Sequence, residues 1–90
     1  MTTNIQMGIS YLIGKVIAEK KPTCLDEVLG PDYNMYDISC GKNLSGMEIA
    51  LYKDLGKTES KRLGSVGNYY SLNQMVHIIE ELIVYDKKNE

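Results

Sequence analysis

The apolar residues of this chain change period twice, and that constrains its fold more than any other feature. They recur at three- and four-residue steps from Ile5 to Ile17. They alternate from Tyr36 to Tyr52, then return to helical spacing from Leu72 to Tyr85. A period near 3.6 marks one face of a helix, and a period of two marks a half-buried strand. A chain that is helical at both ends and pleated in the middle is an α+β domain. Its 90 residues form a single small globular domain, with a modest core and a thin stability margin.

The C-terminal segment carries the strongest local signal. Ser71 and Gln74 are spaced as a capping box, and Tyr70 and Met75 as a hydrophobic staple across the same helix start. Leu72, Met75, Val76, Ile79, Leu82 and Ile83 then form one face. Ile78, Val84 and Tyr85 widen that stripe beyond a single contact surface. Such a helix lies deep across a sheet or is covered on a second side by another helix or another chain, so a homo-oligomer through it is one expectation. The N-terminal helix starts at Asn4 or Thr3 and buries Ile5, Ile9, Leu12, Ile13, Val16 and Ile17. Gln6, Ser10, Lys15, Glu19 and Lys20 lie opposite. Gly8 and Gly14 each weaken it by about 1 kcal/mol relative to Ala, and either can mark close approach to another backbone. Pro22 ends it. Thr23 to Asp26 forms a second capping signature, which predicts a short helix over Cys24–Leu29 closed by Gly30, then a turn at Pro31–Asn34.

In the middle, Tyr36, Ile38 and Cys40 alternate with Asp37 and Ser39, and Met47, Ile49 and Leu51 alternate with Glu48, Ala50 and Tyr52. The loop Gly41–Gly46 joins them. A second loop, Leu55–Ser60, leads to a third strand over Lys61–Val66 with Leu63 and Ser65 turned inward. The expected architecture is an N-terminal helix, a short helix, a three-stranded antiparallel meander and a C-terminal helix, with both long helices on one sheet face. Asp37, Ser39, Glu48, Ala50, Tyr52 and Arg62 would populate the other face, and the charged tail 86–90 would fray.

Composition and motifs remove more functions than they suggest. The net charge of −2 lacks the basic excess that phosphate contacts demand. No apolar run approaches a membrane span, and no secretory leader is visible, so the expected compartment is the cytoplasm with Cys24 and Cys40 reduced. Two cysteines 16 apart with one distant His do not make a zinc site. Gly56-Lys57-Thr58 ends like a phosphate-binding loop, but Leu51 stands where the first glycine belongs and no helix follows. Gly64-Ser65-Val66-Gly67 fits the G-x-x-G clamp of KH domains, but lacks its helical flanks and basic residues. His77 has Glu80 and Glu81 one turn away, an ordinary intrahelical pairing. Asp26-Glu27 and Glu80-Glu81 are adjacent pairs that point about 100° apart, so neither is an acid–base dyad. Cys24 and Cys40 read as small core residues, although Cys24 at a helix start could have a mildly lowered pKa. Neither an enzyme nor a bound cofactor or metal is expected.

The chain has seven tyrosines and no other aromatic residue. Tyr supplies large contact area at interfaces, though here it also has to fill edges of the core. The expected function is a non-catalytic protein-interaction module, a small inhibitor or adaptor of the kind phages and mobile elements encode. It would use an open sheet face or its rim, with Tyr52, Arg62, Lys61, Tyr36, Tyr69 and Glu48 as contact residues. The alternative is nucleic-acid binding. The order helix, three strands, helix resembles the layout of a double-stranded-RNA-binding domain. That resemblance implies a basic cluster at the start of the last helix, where this chain has Ser71-Leu72-Asn73-Gln74.

Overall fold

The computed structural model describes residues 4–43, 46–67 and 69–89. Its elements are α1 (Asn4–Glu19), β1 (Thr23–Cys24), α2 (Asp26–Leu29), a 3-10 turn (Pro31–Tyr33), β2 (Tyr36–Asn43), β3 (Gly46–Gly56), β4 (Glu59–Gly67) and α3 (Leu72–Lys88). The strands form one antiparallel sheet in the order β1-β2-β3-β4. The sheet therefore has four strands rather than three. Thr23 and Cys24, expected to open a helix, instead pair with Ile38 and Asp37. Thr23 is buried, and its hydroxyl caps nothing: α2 starts after Leu25 with no side-chain cap. Strand pairing has outcompeted the local capping signal. Gly30 closes α2 with φ +98°, a conformation that L side chains rarely adopt.

Both long helices cover one face of the sheet. Ile9, Leu12, Ile13 and Val16 of α1 and Met75, Val76, Ile79 and Ile83 of α3 share one core with Ile38, Ile49, Leu51 and Val66. Each fully buried aliphatic side chain here contributes about 1.5–3 kcal/mol. The α3 capping box is complete. Ser71 Oγ accepts from the Gln74 amide at 3.2 Å, and Gln74 Oε1 accepts from the Ser71 amide at 2.9 Å. Asn4 is itself helical rather than a cap, and Thr3 lies outside the described residues.

The β2–β3 ladder is unbroken from Tyr36/Lys53 to Asn43/Gly46. The strands thus run into the expected Gly41–Gly46 loop, whose residues 44 and 45 lie outside the described residues. The β3–β4 ladder is irregular, with register shifts at Leu51/Tyr52 and Asp54/Gly56. Leu63 packs against the core as expected and Arg62 stays outside, but the first shift reverses the expected facing of β4 beyond Leu63. Gly64 pairs with Leu51 and Val66 with Ile49 on the core side, while Ser65 pairs with Ala50 on the other. One inserted residue turns every side chain beyond it to the opposite face. The expected Leu55–Ser60 loop is a tight hairpin turn at Lys57-Thr58, both with positive φ. The tail expected to fray continues as helix through Lys88. Among the described residues, no helix is long and apolar enough to cross a membrane.

Candidate functional site

The register sorts the sheet into rungs. Tyr36–Lys53–Lys61, Thr23–Ile38–Leu51–Gly64 and Cys40–Ile49–Val66 point toward the helices. Cys24–Asp37–Tyr52–Arg62, Ser39–Ala50–Ser65 and Gly41–Glu48–Gly67 point away. Directly paired residues share a face, so this sorting needs no further assumption.

Two of the expected contact residues are thereby removed from the open face. Tyr36 is wholly buried: its hydroxyl donates to Asp86 Oδ2 at 2.6 Å, under the end of α3. Lys61 shares that rung, on the helix side of the sheet, so it cannot act with its neighbour Arg62 on one surface. Lys53 completes the group with a 2.9 Å ion pair to Asp86. Burial raises the Asp86 pKa, but the Tyr36 hydrogen bond and the Lys53 ammonium outweigh it and hold the carboxyl below its ordinary value. Lys87 adds a cation over the Tyr33 ring, 4.6 Å from its centre. This polar cluster binds the last turns of α3 to β2 and β3.

The other four residues do share a surface. Arg62 Nη2 donates to Glu48 Oε1 at 2.8 Å, diagonally across the outer face. The pair spans the Ser39–Ala50–Ser65 rung. Ala50 is only 4% exposed although both long helices lie on the other side. The Arg62–Glu48 pair therefore bridges a rung whose central residue is nearly closed to solvent. Tyr52 stands beside Arg62 on the same rung. At the far end, a Cβ on Gly67 would run into the Tyr69 ring, so that ring lies on bare backbone next to Glu48. Tyr69 is 76% exposed and packs against Tyr70, with ring centres 4.7 Å apart. A shallow hollow of about 330 Å³ opens there, lined by Glu48, Ser65, Gly67, Tyr69 and Tyr70 and reaching Ile78 of α3.

The chemistry elsewhere is quiet. Cys24 is not activated: burial pushes its thiol up to about 11, and its Sγ lies 3.4 Å from the Asn34 carbonyl. Cys24 sits opposite Asp37 on the outer face, while Cys40 lies three residues further along β2 on the inner face. That offset is about 10 Å along a strand, beyond the reach of a disulfide. Asp37, beside Cys24, has a raised pKa. Burial is the main cause, and Asp54 and Asp26 add to it against a hydrogen bond from Cys24. The basic residues Lys53, Lys57, Lys61 and Arg62 do not form one patch: Lys53 and Arg62 are neutralised on opposite faces, and Lys57 sits in the hairpin turn. That turn also contains Gly56-Lys57-Thr58, with strand on both sides rather than a helix.

A second surface was missed by periodicity. Met7 and Tyr11 of α1 are 59% and 60% exposed, on the side away from the core. They wall an open groove of about 740 Å³ between α1 and α3, together with Ser10, Asn73 and His77. The available signal was charge: no charged residue precedes Lys15. A helix with so few charges has apolar residues on both sides. Comparison with protein-family models, with curated proteins and with solved structures returns no match.

Proposed function

We propose that this protein is a non-catalytic interaction module, an inhibitor or adaptor that docks another protein on the outer sheet face and its β4 rim. The observation that carries this reading is the grouping of Tyr52, Arg62, Glu48 and the exposed Tyr69–Tyr70 pair on one surface. Tyrosines and a guanidinium on one surface, with Tyr69 and Tyr70 walling a shallow hollow, have the composition of binding hot spots. Glu48 and Arg62 already satisfy each other, so a partner meets a preorganised polar pair rather than two mobile side chains.

The test is affinity capture from the source cell using the wild type, Arg62→Ala and Tyr69→Ser, with Tyr11→Ser as a control on the helix side. The expected result is one partner held by the wild type and the control and lost by both face variants, all four giving the same circular dichroism. Retention of every partner by both face variants would remove the assignment.

A further inference from the structure

We propose that α1 is the contact between two copies of this chain, packed antiparallel about a two-fold axis at its midpoint. The outer side of α1 presents Met7, Tyr11, Gly14 and Ala18, all exposed. At about 100° per residue these four fall within about 60° of one another, on one continuous stripe. The exposed apolar residues of α3 do not. Leu72, Val84 and Tyr85 lie about 100–140° apart around their helix, so α3 offers no comparable seam.

The stripe is self-complementary in a particular sense. Its N-terminal half is large, Met7 and Tyr11, and its C-terminal half is small, Gly14 and Ala18. An antiparallel copy places Tyr11 over the partner's Gly14 and Met7 over the partner's Ala18, and the reverse contacts follow by symmetry. A two-fold interface has this isologous character, each patch meeting its own reverse. A parallel copy would set large against large. Charge agrees with shape. The stripe is uncharged, and Lys15 on its flank is engaged by Glu27 at 2.9 Å, so no like charges face each other across the axis.

Gly14 supplies an independent clue. Gly8, the other glycine of α1, is required inside the protomer: a Cβ there would lie 2.5 Å from Leu29 Cδ2. A Cβ on Gly14 would meet nothing within 4 Å. Among the described residues, no close approach calls for a glycine at this position, which weakens the helix. Seating the partner's Tyr11 does account for it. A single helix pair lies at the low end of specific interfaces, so the dimer is reversible and concentration-dependent. It covers the outer side of α1 and leaves both outer sheet faces available.

Sedimentation equilibrium across the micromolar to millimolar range tests this. The wild-type mass should rise from 10.1 kDa toward twice that value. Tyr11→Glu and Gly14→Lys, both at exposed positions, should each remain at the monomer mass with unchanged circular dichroism. An equal mixture of the two should recover the dimer. In that mixture the introduced carboxylate meets the introduced ammonium, and the second Tyr11–Gly14 contact is intact. Arg62→Ala should dimerise like the wild type, which separates this result from failure of the sheet-face reading. A wild type that stays at 10.1 kDa throughout would overturn the proposal. So would either variant associating alone as the wild type does, or a mixture that stays monomeric.

Discussion

Asp86 and Asp37 stand on opposite sides of one small sheet and titrate in opposite directions. On the helix side, Asp86 gains a hydroxyl and an ammonium, and its pKa falls. On the outer side, Asp37 loses water and faces Asp54 and Asp26, and its pKa rises. One face has its polar groups arranged to hold the protein together. The other tolerates an unfavourable carboxylate and keeps its best polar pair, Arg62–Glu48, in contact with solvent. With docking proposed for the outer face, stability and recognition would be divided between the two faces, and substitutions should separate them.

The largest effect should come from the covered face. Leu51 is wholly buried between β2 and β4, and Leu51→Ala should cost about 3 kcal/mol in urea unfolding. A loss below about 1 kcal/mol would mean that this face is not the core.

Next comes Tyr36→Phe, which removes only the hydroxyl bound to Asp86 and should cost about 1–1.5 kcal/mol. Its pH dependence adds a sharper check. Because the folded Asp86 pKa is lowered, its contribution is complete above the ordinary carboxylate value of about 4. It is lost as pH falls from there through the folded value. Wild-type stability should drop in that window, and Tyr36→Phe should flatten the drop. An unchanged slope would show that the hydroxyl does not set the titration.

On the outer face, Arg62→Ala should change stability by no more than about 0.5 kcal/mol, as befits an exposed ion pair. A larger loss would show that the pair holds up the sheet and would blur the division between faces.

The smallest effect has the opposite sign. Because the folded Asp37 pKa is raised, ionisation penalises the folded state once pH passes the unfolded value, and the penalty is complete above the folded one. Asp37→Asn should therefore raise the melting temperature slightly at neutral pH, and the gain should vanish in acid. A fall at neutral pH would mean that the carboxylate makes a contact that an amide cannot replace.

Much of this division could be read from residue order, and the places where it could not have physical causes. The α3 start was visible because Ser71 and Gln74 bond only to each other's backbone, a local device. The β2–β3 pair was visible because its alternation is uninterrupted, and it correctly placed Tyr52 and Glu48 outside. The bulge near Leu63 was hidden because Gly64 and Gly67, which follow it, read equally well as turn residues, and it inverted the facing of β4 beyond Leu63. The turn at Lys57-Thr58 was hidden because two-residue hairpins usually use Asn or Gly at positive φ, and here Lys and Thr adopt it. Alternation sets Tyr36 with Ile38 and Cys40 on the covered side, so the pattern itself argued against a contact role. It does not say that a carboxylate fifty residues away will receive the hydroxyl. The Thr23 signature failed because an edge of the sheet competed for the same backbone.

Three glycines lie beneath side chains that a Cβ would strike: Gly8 under Leu29 with Val28 beside it, Gly64 under Leu82 and Gly67 under Tyr69. In a lineage of such chains, each pair should drift as a unit. Enlarging the glycine becomes permissible only after its companion has shrunk, and descendants that retain a bulky companion should retain the hydrogen beneath it. The Gly67–Tyr69 pair is then a historical marker: where the ring has been lost and position 67 has acquired a side chain, the hollow beside Glu48 has been rebuilt as well.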